Sequence, residues 1–102
     1  MTLEDVASVV EALSGVRRTS AKGHLEWRYQ GRLVARQLDD THLVIRSEFD
    51  ARRELILHEP ESFSVPLRFA KHMMVVCDLA HGNAEVIEDA LHAAWELQRR
   101  NG

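Results

Sequence analysis

The chain has 102 residues and a mass of 11.7 kDa, a length that makes one domain, residues 1–102, and buries roughly 65% of the surface the unfolded form exposes. Thirteen bases against sixteen acids leave a net charge of −3, which excludes a histone-like polycation and an acidic tail. One cysteine, Cys77, cannot close an intramolecular disulfide, the N-terminus lacks a leader pattern, and no apolar run reaches the ~20 residues of a membrane span, so the expectation is a soluble, cytoplasmic domain with no membrane partner.

Thr2 can cap a first turn whose acids, Glu4 and Asp5, suit the helix dipole. Leu3, Val6, Val10 and Leu13 then form one stripe, and Gly15 stands where a left-handed cap is wanted, so the spacing predicts a helix over 3–14. From residue 24 the period becomes two: Leu25, Trp27 and Tyr29 alternate with His24, Glu26 and Arg28, and Gln30-Gly31 offers a tight hairpin into a strand over 32–38. A second turn at Asp39-Asp40 leads into 41–46, completing a three-strand meander. Ser47 with Asp50 repeats the capping pattern and predicts a helix over 48–58. Phe63 and Val65 alternate as a short strand, 66–71 is a loop, and 72–79 is apolar enough for an inner strand. Asn83 caps a last helix, amphipathic and ending in Arg99 and Arg100. The order is α-β-β-β-α-β-β-α, an α+β two-layer sandwich with a five-stranded antiparallel sheet covered on one face by helices.

Two-residue loops would pair Tyr29 with Arg32 and Leu38 with Thr41, and the rest of the register follows by counting. One face then carries Leu25, Trp27, Tyr29, Val34, Leu38, Leu43 and Ile45, with Arg32 and Arg36 at its margins, and is the core face. The other carries His24, Glu26, Arg28, Leu33, Ala35, Gln37, His42, Val44 and Arg46 and is mostly wet.

Several segments together resemble the MmcQ/YjbR-like family of small bacterial proteins: the first helix closing in Leu13-Ser14-Gly15-Val16, the hairpin from Trp27 to Ala35, the helix before Glu59-Pro60-Glu61-Ser62-Phe63, and a final helix containing Ala93-Ala94-Trp95-Glu96-Leu97. The resemblance covers nearly the whole chain and implies the same topology. It also implies DNA binding, since members are commonly so labelled from a likeness of the sheet to a double-winged phage transcription-factor domain. The architecture is similar to secretion chaperones and, more loosely, to frataxin-like domains. The resemblance supplies no catalytic residues.

Charge is segregated along the chain: residues 1–16 carry −3, residues 17–53 carry +4 and residues 54–102 carry −4. In the expected register Arg28 and Arg46 both neighbour Leu33, a guanidinium row on the wet face. Arginine forks bind phosphate oxygens in bidentate fashion, so the nucleic-acid reading takes Arg28, Arg46, Arg32, Arg36, Lys22, Arg17 and Arg18 as its residues, against a plainer one in which these cations pair with nearby acids. The alternative function is a protein-interaction or chaperone-like domain, or self-association, through the exposed trio Leu33, Ala35 and Val44. Trp27 and Tyr29 could stack on bases but belong to the core face. Six histidines show no metal spacing, Cys77 lies in the apolar run Met73-Met74-Val75-Val76 that makes a thiol inert, and no nucleophile or phosphate-loop motif occurs. The expectation is a non-enzymatic domain with no metal and no cofactor.

Overall fold

A computed structural model describes residues 1–101. Helix α1 (Leu3–Val10) begins with the expected capping box, in which the Asp5 N–H donates to Thr2 Oγ1 and the Thr2 N–H to Asp5 Oδ2. It ends sooner than the apolar stripe suggests, with Glu11 as its C-cap. Gly15, at φ +78°, then turns the chain under the Tyr29 ring; a Cβ there would lie 2.7 Å from Tyr29 Cε2.

Residues expected to be a connection form strand β1 (Val16–Ala21). It pairs with β2 (His24–Tyr29), and β2 pairs with β3 (Arg32–Gln37). Both hairpins turn on two left-handed residues, Lys22-Gly23 and Gln30-Gly31, the geometry that matches the twist of the flanking strands. β4 (His42–Arg46) follows, then α2 (Phe49–His58), a two-residue β5 (Phe63–Ser64), a 3-10 helix at Leu67–Phe69, β6 (Met74–Asp78) and α3 (Ala84–Arg100). The sheet is antiparallel in the order β1-β2-β3-β4-β6-β5. The α+β sandwich stands, with six strands rather than five. Helix α2 departs from its expected start: Glu48, not Ser47, is its N-cap, and no side chain caps it.

Two local features alter the expected register. Arg28 faces Leu33 as counted, but Trp27 faces Ala35, so Val34 is an extra residue in β3, a bulge. The β3–β4 connection has three residues rather than two: the Leu38 N–H donates to the His42 carbonyl, and the Thr41 N–H donates to Asp39 Oδ1. Ala35 therefore faces Ile45, Arg36 faces Val44 and Gln37 faces Leu43, one residue away from the count. Trp27, Val34, Leu43 and Ile45 stay inside, Ala35 joins them, and Arg36 moves to the opposite face.

The core joins this inner face to Val6 and Val10 of α1 and Ile87, Leu91 and Ala94 of α3. Trp27 Nε1 donates to Glu11 Oε2 at 2.9 Å, which ties the buried indole to the end of α1. Half of the outer face is covered too. The segment carrying the 3-10 helix folds back so that Phe69 packs on Val44 and Val76, with Leu38, Val65 and Met74 around them. No helix among the described residues is long and apolar enough to cross a membrane.

Candidate nucleic-acid interface

The outer face of β1, β2 and β3 has no helix over it. Alternation from the buried Trp27 puts Arg28 and its two partners, Arg17 and Leu33, in one cross-strand row there. Thr19, Glu26, Arg36, Val44 and Val76 form the next row. Arg17 is directly opposite Arg28, and two like charges so placed repel. Arg28 is oriented by Glu26, whose Oε1 accepts from its Nε at 3.1 Å, and by the Gly31 carbonyl at 3.0 Å.

Where this open half meets the covered half, Phe69 serves as a platform for two guanidinium groups. Arg36 lies 5.7 Å and Arg68 4.7 Å from the ring centroid. Cation–π contact holds a guanidinium against an apolar ring without neutralising it, so both charges remain available to an anion. The face thus presents Arg17, Arg28, Arg36 and Arg68, with Glu26 as the acid of the two rows. Lys22 stands exposed at the tip of the β1–β2 hairpin.

Three expected cations are sent elsewhere. Arg18 faces Trp27, on the inner side, and pairs with Glu11 at 3.4 Å. Arg32 is held by the Gln98 carbonyl at 3.1 Å, where α3 crosses β3, and lies 5.8 Å from the Tyr29 ring centroid. Arg46 neighbours Met74 rather than Leu33 and lines a groove between α2 and α3, so the expected row Arg28–Leu33–Arg46 does not form. The one-residue shift between β3 and β4 is the cause.

The trio expected as an apolar interface fails for a related reason. Ala35 is carried into the core by the bulge, Val44 is covered by Phe69, and only Leu33 keeps partial exposure. Exposed apolar side chains occur instead at Phe49, Leu57 and Leu67, the last 91% exposed. Arg68 had no sequence signal: its role depends on the 3-10 helix folding back over the sheet.

Among the described residues no group of three or more His, Cys, Asp or Glu is placed to hold a metal ion. The His42 ring instead bonds to Asp39 at 2.9 Å, and the His81 ring to Asp78 at 3.1 Å. Both carboxyls sit below the usual carboxylate range. Asp39 is lowered chiefly by the Thr41 N–H and then by His42, and Asp78 chiefly by the His81 N–H and then by its ring. Burial pushes the Cys77 thiol up to about 12.

No family model matches this chain, and no curated protein does. Among solved structures it is similar to the crystal structure of protein DR2400 of Deinococcus radiodurans, described as carrying a DUF419 domain. The match has a TM-score of 0.80 at 21% sequence identity and covers 94% of this chain and 77% of the other. At that identity the likeness shows the fold.

Proposed function

We propose that this chain is an MmcQ/YjbR-like domain that acts by binding rather than catalysis, and that it holds the phosphate backbone of duplex DNA on the open face of β1–β3. The supporting observation is that Arg17, Arg28 and Arg36, with Arg68 at the margin where the 3-10 helix begins, share this face with one acid, Glu26. A phosphate between Arg17 and Arg28 would relieve their mutual repulsion, and the fork of each guanidinium matches two phosphate oxygens. With about four phosphates contacted, affinity for a random duplex falls with salt at a log–log slope of about −3 to −4. Fluorescence anisotropy with a short labelled duplex measures this. Arg17→Ala, Arg28→Ala and Arg36→Ala each flatten the slope by about one, while Arg18→Ala leaves it unchanged because that side chain faces α1. Absence of binding at low salt, or equal slopes in all four variants, overturns the proposal.

A protein partner is the second reading, favoured by the exposure of Leu67 and of Leu57, which lines a surface groove with Val65. In that case Leu67→Asp lowers the mass measured by sedimentation of a self-associating chain and leaves anisotropy with DNA unchanged. An unchanged mass counts against self-association through this surface.

A further inference from the structure

Helices α2 and α3 run past each other without closing. α2 carries Leu55, Ile56 and Leu57 yet buries no residue, and it packs on β5 and β6 rather than along α3. Arg100, ending α3, is ion-paired with Glu48, capping α2, while Val86 near the start of α3 shares a groove with Glu59 just past the end of α2, so the two helices run in opposite directions. Between them lies a groove of about 550 Å3, a size typical of small-molecule sites. Its walls are apolar and mostly small: Ala51 and Leu55 from α2, and Val86, Ala90, Ala93 and Leu97 from α3.

The charges around it are unequally matched. Glu48 is bound to Arg100 at 2.7 Å, Glu54 to His58 at 3.0 Å, and Glu96 to Arg99 at 2.9 Å. Three of the five acids lining the groove are therefore engaged by other side chains. Arg46 lines the same groove, forms none of the ion pairs among the described residues, and has a buried Nε without a hydrogen-bond partner. The Nε itself is shut off from the groove, so an anion there would meet the terminal nitrogens of a guanidinium that borders apolar walls without a counter-charge. At the opposite end Glu59 and Asp89 also line the groove, so a second negative charge there would be repelled.

We propose that this groove binds a small monocarboxylate with an apolar body, its carboxylate on the Arg46 guanidinium and its hydrocarbon along the alanines of α2 and α3. Such a ligand supplies the counter-charge that Arg46 lacks and excludes water from the facing walls. The site is separate from the arginine face of β1–β3, and neither proposal depends on the other.

Titration of the 15N-labelled chain with decanoate, decanol and decylammonium, followed by amide chemical shifts, tests it. Decanoate is expected to shift Ala51, Leu55, Ala90 and Ala93 saturably, and decanol, with the same body and no charge, to bind about tenfold more weakly. Arg46→Gln is expected to bring decanoate down to the affinity of decanol. Ala93→Leu, which fills the groove from an exposed helix position and leaves Arg46 in place, is expected to abolish both. No saturable shifts with decanoate, equal binding of decylammonium, or undiminished decanoate binding in folded Arg46→Gln or Ala93→Leu each overturn the proposal.

Discussion

Single side chains here have roles that sequence type alone does not assign. Cys77 and Gly15 are legible ones: an apolar run surrounds the first, and the end of an amphipathic helix calls for the second. With its thiol raised to about 12, Cys77 stays protonated near neutral pH. It should react with a disulfide reagent only as fast as the chain unfolds, measurable as a rate that tracks urea; fast labelling in native buffer would contradict the burial. Gly15→Ala combines a left-handed backbone with the Tyr29 ring 2.7 Å from the new carbon, so the cost exceeds about 1 kcal/mol in urea unfolding. Arg52 was not legible. It reads as one cation of a basic stretch, yet its guanidinium donates to the carbonyls of Phe69, Ala70, His72 and Met74, the His72 bond at 2.8 Å. Those acceptors lie 17 or more residues away along the chain, beyond the reach of any local pattern.

Among the elements, the capped and amphipathic ones follow from the sequence. Thr2 and Asn83 cap α1 and α3 as their chemistry requires. β1 escapes that logic because an edge strand exposed along nearly its whole length needs no apolar alternation, and Arg17-Arg18-Thr19-Ser20 shows none. The Val34 bulge is equally silent, since Val34 and Ala35 are both apolar and either could face inward. The Asp39–Thr41 loop hides an odd residue because Asp39 can serve a two- or a three-residue turn equally well. Arg52→Gln should release the segment from Phe69 to Met74 that covers Val44 and Val76, costing about 2 kcal/mol of stability and selectively speeding amide exchange there. Uniform exchange across the chain would show that the segment does not open by itself. Asp78 holds the turn that follows β6 through the Ala80 and His81 N–H groups, both at 3.0 Å. Its carboxyl lies below the ordinary value when folded, so its contribution is fully present above about pH 5 and is lost as pH falls through the lowered folded value. Asp78→Asn should therefore have a smaller loss of melting temperature on acidification than the parent chain; an equal acid sensitivity would rule out this carboxyl as a source.

Across the whole molecule, charge that is ordinary in sum is sorted by face. The middle third of the sequence holds the excess of bases, and folding delivers Arg17, Arg28 and Arg36 to one open surface, Arg18 and Arg32 to the inner side, and Arg46 to the groove between α2 and α3. Half of the candidate site was thus visible as composition. Its geometry was not, because the partition depends on strand parity. Arg17 and Arg28 repel across β1 and β2, so Arg17→Ala should leave unfolding free energy within about 0.5 kcal/mol of the parent, or raise it slightly, while weakening DNA binding. A large loss of stability would assign Arg17 to architecture instead.

The supernumerary Val34 makes β3 a phase shifter. Upstream of it Leu33 looks to water; downstream the same alternation delivers Ala35 to the indole of Trp27 and Arg36 to the aromatic ring of Phe69. Excising that one codon would act as a frameshift in space, exchanging the sides of everything on one flank, so an arginine would be driven toward the hydrophobic interior or a tryptophan would lose its neighbour. Length variation among homologous chains should accordingly be tolerated at the hairpin tips and forbidden within this strand.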